Sequence, residues 1–396
     1  SLKFWLKLRA YLITIGRLRG DLKLKIKNRD WFRRKLEAVK GIGYIFGYSV
    51  KSVERSFGQR KSDILKLDSN ENFFIPRHDL LKIIMEVVEE FDPRLYPQEE
   101  DQELREKISS YIRIPADRIV VGNGSDELME RIARLFLEAG EMAVTITPTF
   151  SMYRHAVKMQ RAELIEVPLN ADFSLNVDAI LSKVTPKTRV LFLCSPNNPT
   201  ANQFKTEEIK HLLSAFEDGM VVLDEAYVEF AGSSVIHLTE DFDNLIVLRT
   251  FSKAFGLAGL RLGYCIADAE VAETLSRNVG LPYAVNTVAL RVGAKILEKL
   301  EIVENAIKRL RIERDKLIEA LNTIEGVRAF KSETNFVLFH TDKPSTQVYR
   351  ELLQRGIIIK NLGALLSLEN CFRATVGLPE MNVRLVQALR DICETR

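Results

Sequence analysis

A chain of 396 residues, 46% hydrophobic and 28% charged, has ample material for a packed core and the charge density of an ordinary globular protein. Its formal net charge of +3 gives no global field that would select nucleic acid or acidic substrates. The four cysteines, Cys194, Cys265, Cys371 and Cys393, form no CxxC pair, which argues against a zinc or disulfide framework and fits a reducing, cytoplasmic setting.

Residues 1–40 carry seven Lys and six Arg against Asp21, Asp30 and Glu37, so a local excess of ten positive charges faces a remainder that is net negative. Trp5, Leu8, Leu12 and Ile15 fall at helical spacing. This is the pattern of a basic amphipathic helix at a surface or, more simply, of an extension that packs on a partner. The segment is poor in serine and has no small-residue cleavage site, unlike a targeting peptide. Lysines and arginines interrupt its apolar run well short of the roughly 18 residues a membrane span needs.

From about Ile64 onward, short β-branched runs alternate with polar turns and longer amphipathic stretches, predicting a parallel sheet covered by helices. The runs at 119–121, 190–194, 220–223 and 245–248 are apolar on both faces, as central parallel strands should be. Each leads into a polar cluster. The first enters Gly122-Asn123-Gly124-Ser125-Asp126, the second Ser195-Pro196-Asn197-Asn198-Pro199-Thr200. The third enters Asp224-Glu225-Ala226-Tyr227 and the fourth Arg249-Thr250-Phe251-Ser252-Lys253. Ligands of open α/β sheets bind beyond the carboxyl ends of the strands, so the four clusters define one crevice. Continuous helical periodicity over 288–321 predicts a long connecting helix.

The crevice chemistry is specific. Ser125 and Asp126 open a helical stretch whose first amides would face an anion, and Thr250, Ser252 and Arg261 add hydroxyls and a guanidinium, a set suited to phosphate. Asp224, leaving an apolar strand, needs a cation if buried, and a protonated pyridine is one. Asn198 and Tyr227 can donate to a phenolate oxygen, and the Lys253 amine can form an imine with an aldehyde. Together these describe pyridoxal phosphate. Taken alone, Asp224 reads as a turn or cap residue and Lys253 as a surface charge; their places at strand ends make them site candidates. The five histidines have no ligand-like spacing, so no metal is expected.

These strings, with Leu67-Asp68-Ser69-Asn70-Glu71-Asn72, Tyr96-Pro97, Ser332-Glu333-Thr334-Asn335-Phe336 and Phe372-Arg373, resemble fold-type I aminotransferases, and most closely the histidinol-phosphate aminotransferases. The resemblance runs from about Leu65 to the C-terminus. It implies an α/β fold: a large domain over 95–285 with a mostly parallel sheet between helices, and a smaller α+β domain from both chain ends. That smaller domain would take 41–94, including an N-terminal arm, and 286–396, with 1–40 as a basic extension. It further implies that Lys253 carries the cofactor as an imine and moves a proton, Asp224 holds the pyridine nitrogen protonated, and Asn198 and Tyr227 hold the ring oxygen. Ser125, Asp126, Thr250, Ser252 and Arg261 would hold the phosphate, joined by Tyr96 of a neighbouring subunit. Phe150 would stack on the ring where the family usually has Tyr. Arg373, Lys360, Asn70, Asn335 and Tyr48 would meet the substrate.

Two departures stand out. Ala201 replaces a Gly after the Asn-Pro-Thr string, and Lys360 replaces an Arg expected to grip the substrate's distal phosphate. The activity implied is the ping-pong transamination of L-histidinol phosphate with 2-oxoglutarate, in histidine biosynthesis, by a cytoplasmic homodimer with a shared active site. Its partners would be a small-molecule amino donor and a 2-oxo acid, with neither nucleic acid nor membrane. Rival readings are an aminotransferase for aromatic or other amino acids and a threonine-phosphate decarboxylase. A cofactor-sensing regulator would need an N-terminal DNA-binding domain, and residues 1–40 show no helix-turn-helix.

Overall fold

The computed structural model describes residues 30–40, 43 and 47–394. The apolar stripe of Trp5, Leu8, Leu12 and Ile15 in the basic extension, and also Tyr44, lie outside the described residues. The chain divides into two units, Ser1–Gly43 and Tyr44–Arg396. What is described of the first is the helix Asp30–Ala38, which buries no residue; Trp31 and Phe32 meet edge to face with ring centroids 6.0 Å apart.

The strands of the second unit, in chain order, are β1 (Leu65–Lys66), β2 (Ile119–Gly122), β3 (Met142–Thr147), β4 (Glu163–Pro168), β5 (Thr188–Cys194), β6 (Met220–Asp224) and β7 (Leu245–Thr250). They continue with β8 (Gly263–Ile266), β9 (Val327–Ala329), β10 (Phe336–Thr341), β11 (Ile357–Ile358), β12 (Lys360–Leu365) and β13 (Leu368–Thr375). The large sheet has the order β2-β8-β7-β6-β5-β3-β4. Its β4-β3-β5-β6-β7 part is parallel, and β8 runs antiparallel to both its neighbours. The central strands read as unbroken apolar runs because both faces are covered. Leu191, Leu193, Val221, Leu223, Leu245 and Val247 enter one core, and the alternating Val190, Phe192, Val222, Ile246 and Leu248 enter the other.

One expected central strand is an edge strand. β2 pairs only with β8, antiparallel. Its run is apolar on both faces because Ile119 and Val121 reach one core and Val120 the other, which is a matter of helix cover and not of position in the sheet. Since β8 reverses direction twice over, β2 still points the same way as β5, β6 and β7. Register then aligns the strand ends: Cys194 lies opposite Asp224, and Gly263 opposite both Thr250 and Gly122. All four polar clusters therefore leave one edge of the sheet.

A second, antiparallel sheet has the order β12-β13-β10-β9. Beside it β1 pairs in parallel with β11, and the Thr375 amide donates to Leu67 O at 2.8 Å, so the segment ahead of the large sheet is bound to the C-terminal part. The single helix expected over 288–321 is two helices, Thr287–Leu297 and Leu300–Leu321. Lys299 leaves helical geometry at φ −121°, ψ 40°, and the two halves pack on different partners, the first on the helix Glu100–Ile112 and the second on Pro379–Glu394 and β9. Periodicity continues through the break because both halves are amphipathic.

Immediately below the crevice, Arg249 donates from Nε and Nη2 to Glu225 Oε2 at 3.0 and 2.8 Å, with both side chains buried. Glu225 also accepts from Ser234 Oγ and the Val235 amide. Glu225→Ala, which removes the carboxylate hydrogen-bonded to the buried guanidinium and leaves only Glu229 as a nearby counter-charge, should lower the free energy of unfolding by about 3–5 kcal/mol in a urea titration. A loss under about 1 kcal/mol, typical of exposed pairs, would overturn that reading.

Candidate active site

At the first strand end, Gly124 adopts φ 89° and begins the helix Ser125–Phe136, whose leading amides carry the positive end of the helix dipole. Glycines allow the surrounding parts to close in. A Cβ on Gly263 would lie 2.5 Å from the Ser125 amide nitrogen, and one on Gly124 would lie 2.9 Å from Arg261 Nη2. Arg261, held at φ 54°, reaches Asp126 Oδ2 at 3.1 Å and Ser252 Oγ at 3.5 Å. Thr250 Oγ1 accepts from the Ser252 amide at 3.1 Å. Ser125, Thr250, Ser252 and Arg261 thus meet in one cup of donors. Asp126 joins them in a different sense from a phosphate ligand: its carboxylate lies against the guanidinium, and its contribution to an anion would be its backbone amide.

Asp224 ends β6 and is 3% exposed. Its Oδ2 accepts from Tyr153 Oη at 2.9 Å and its Oδ1 from the Ala226 amide at 3.0 Å. No ion pair joins it to any described residue, and burial pushes its carboxyl up to about 6. A buried carboxylate of this kind favours a cationic ligand. Tyr153 was not among the expected site residues. Its place in an amphipathic helix, Met152–Met159, gave it the look of a core aromatic.

Lys253 is half-buried and donates to Ser69 O at 3.1 Å, with its Nζ 5.8 Å from the centre of the Tyr227 ring. Burial first, and the Arg373 charge next, bring its amine down to about 8, with Glu71 and Asp126 acting in the opposite direction. The Tyr227 hydroxyl accepts from Asn70 Nδ2 at 2.9 Å, which leaves its own hydrogen to donate elsewhere. Burial holds that phenol above its ordinary range, so it stays protonated. Asn335 Nδ2 in turn donates to Asn70 O at 2.8 Å. The Oδ1 atoms of Asn70 and Asn335 are buried with no partner among the described residues.

Arg373, on β13, donates to Asn198 Oδ1 and to Asp68 O, both at 2.6 Å. Because Asn198 Oδ1 accepts there, its Nδ2 is the side left to donate. Lys360 lies opposite Arg373 in register on β12, so the two cations share one face of the small sheet. Burial, and then Arg373, lower the Lys360 amine. Phe150 meets the Tyr153 ring edge-on at 5.9 Å. No hydrogen bond joins either of two further expected residues to this cluster among the described residues: Tyr96 is 70% exposed and stacks on Tyr283 at 4.7 Å, and Tyr48 packs near Phe57 and Tyr349. Among the described residues no group of His, Cys, Asp or Glu could hold a metal ion, and no helix is long and apolar enough to cross a membrane.

A cup of anion donors, a buried carboxylate lacking a cation, two donors for a ring oxygen and an amine of lowered basicity fit pyridoxal phosphate, on a sheet whose strand ends converge as in fold-type I enzymes that use it. Residues 62–389 match the family described as aminotransferase class I and II, and the chain belongs to that family; its cofactor is pyridoxal phosphate. The chain is 36% identical over 328 residues to a histidinol-phosphate aminotransferase of Caldanaerobacter subterraneus subsp. tengcongensis, covering 83% of this chain and 92% of that relative. Its fold is similar to that of the histidinol-phosphate aminotransferase of Sinorhizobium meliloti, solved with pyridoxal-5'-phosphate, with a TM-score of 0.79 at 24% identity over 88% of this chain and 95% of that one. It is similar too to L-threonine-O-3-phosphate decarboxylase of Porphyromonas gingivalis, with a TM-score of 0.73 at 26% identity over 84% of this chain and 100% of that one.

Two tests bear on the cofactor end. Gly263→Ala should wedge β8 from the start of the helix and raise the dissociation constant for pyridoxal phosphate at least tenfold by equilibrium dialysis, since about 1.4 kcal/mol of lost anion contact suffices. Cofactor-free protein should take up pyridoxal phosphate at a rate that climbs with pH and levels off above about 8, because the Lys253 amine attacks only when neutral. A rate falling over that range in stopped-flow absorbance would contradict the assignment of Lys253.

Proposed function

We propose that this enzyme exchanges an amino group between L-histidinol phosphate and 2-oxoglutarate, yielding imidazole-acetol phosphate and L-glutamate in ping-pong order. The observation that carries the reading is the 36% identity over most of both chains to a histidinol-phosphate aminotransferase. Bound pyridoxal phosphate supplies a conjugated ring that accepts the electrons left when the substrate's α-carbon loses its proton.

The chain's own groups do the rest. Lys253 Nζ would hold the cofactor's aldehyde carbon between turnovers and, once free, would carry the proton taken from the substrate α-carbon. Asp224 keeps a proton on the ring nitrogen. Asn198 Nδ2 and the Tyr227 hydroxyl donate to the ring oxygen, and the Asn335–Asn70 chain of hydrogen bonds aims that hydroxyl. Phe150 would cover one face of the ring. The Ser125 and Asp126 amides, Thr250, Ser252 and Arg261 hold the phosphate, and Tyr96 reaches it from the second copy of a homodimer. Tyr48 covers the substrate.

Arg373 must accept a carboxylate in one half-reaction and a phosphate ester in the other, and its planar fork pairs with either. Lys360 beside it adds the second positive charge that a phosphate dianion needs, as a point charge where an Arg would give a fork. Lys360→Met should therefore raise KM for histidinol phosphate roughly tenfold or more while leaving kcat nearly unchanged. Unchanged KM would remove Lys360 from the substrate end.

The reaction itself is read by mixing purified holoenzyme with histidinol phosphate and following conversion of the cofactor's visible absorbance to that of its amine form. Conversion is expected, and Lys253→Ala should abolish turnover. Conversion by phenylalanine or tyrosine alone would replace the substrate with an aromatic amino acid. Carbon dioxide released from threonine phosphate without a keto acid would replace transamination with decarboxylation.

A further inference from the structure

We propose that Tyr153 is a positioning residue that keeps Asp224 ionised, so that the proton shared with the cofactor stays on the ring nitrogen. The inference rests on the assignment of Asp224 to that nitrogen.

Tyr153 is fully buried, and its hydroxyl donates to Asp224 Oδ2 at 2.9 Å. The other carboxylate oxygen takes the Ala226 amide, so each oxygen has one donor, and only one of the two donors is a side chain. The phenol is clamped in place. Its ring lies parallel to Phe192 at 5.3 Å and 10° and edge-on to Phe150 at 5.9 Å and 84°. Phe192 sits on β5, two residues before Cys194, the register partner of Asp224. The same aromatic stack therefore ties the strand that carries the carboxylate's neighbour to the residue expected on the cofactor's face.

A carboxylate and a ring nitrogen that share one proton compete for it. A hydrogen bond donated to the charged carboxylate lowers its proton affinity, which leaves the proton on nitrogen. Tyr153 does not take over that role, because burial and the adjacent Asp224 hold its own proton firmly in place. The other titratable groups around Asp224 are Cys194 on β5, Tyr227 three residues on, whose phenol burial keeps protonated, Lys253 beyond β7 and Asp126 at the start of the helix Ser125–Phe136. Cys194 is held neutral by burial, and Asp126 is engaged with Arg261. With Phe at 153, Oδ2 would be buried without a side-chain donor, and the proton would move toward the carboxyl group. The ring then loses positive charge, and the pH at which the cofactor's visible band titrates rises, since that charge lowers the proton affinity of the group conjugated to it.

Tyr153→Phe keeps the ring and its stacking and removes one oxygen. In the holoenzyme, the midpoint of the visible-band pH titration should move upward by about one unit, and the dissociation constant for pyridoxal phosphate should rise about tenfold to a hundredfold, the range for a lost hydrogen bond to a charged group. Added to Asp224→Asn, the same change should have less than about a threefold effect, because the two residues act through one interaction. A wild-type midpoint and dissociation constant in Tyr153→Phe would overturn the proposal. So would an equal effect in both backgrounds, which would assign Tyr153 to packing alone. A wild-type protein with no visible band on addition of pyridoxal phosphate would overturn the assignment of Asp224 as well.

Discussion

The active site depends on a carboxylate placed where water does not reach. Asp224 sits at the end of a strand whose other residues, from Met220 to Leu223, are all apolar and buried, and neither oxygen forms an ion pair with a cation among the described residues. Such a group is costly in isolation and becomes favourable beside a positive ring nitrogen, so the apolar strand itself selects the ligand. Two hydrogen bonds hold it meanwhile. Because these donors are fixed before any ligand arrives, the site reorganises little when charge develops on the ring.

The strand ends were legible in the sequence for a physical reason. A strand covered on both faces must be apolar throughout, so the first residue after the apolar run marks its end, and that logic pointed to Gly122, Ser195, Asp224 and Arg249, each at or within one residue of an observed strand end. Pairing was less legible, since the edge position of β2 is decided by β8, far along the chain. Contacts between distant side chains were invisible. Asn70 and Tyr227 are 157 positions apart, and neither residue type announces the other. Tyr153 was missed because its ring satisfies the pattern of a core helix, and only its hydroxyl has a different task. Asp126 was read correctly as part of the helix start, but the competition between its carboxylate and a bound anion for Arg261 depends on a side-chain direction that no pattern encodes.

Ala201 shows how the backbone absorbs a departure from the family. It keeps the left-handed conformation, φ 65°, that a glycine would take without strain. For alanine that conformation costs about 1–2 kcal/mol. Hydrogen bonds on both sides hold it there: its amide donates to Asn197 O at 2.8 Å, and its carbonyl accepts from the Glu333 amide at 2.7 Å. The turn is thus imposed by its surroundings, and Asn198 stays where Arg373 can reach it. Local strain here is offset by the contact between the two sheets' loops, which is why the substitution leaves the crevice assembled.

The substrate end is governed by crowded positive charge. Arg373 lowers the basicity of both Lys253 and Lys360, after burial, which is the larger cause for each. Asp68 offsets this at Lys360, and Glu71 at Lys253. An anion placed beside Arg373 would offset the charge that depresses the Lys253 amine and so raise the basicity of that amine. The coupling needs no moving part, because it follows from Coulomb interaction across a half-buried crevice where water screens weakly.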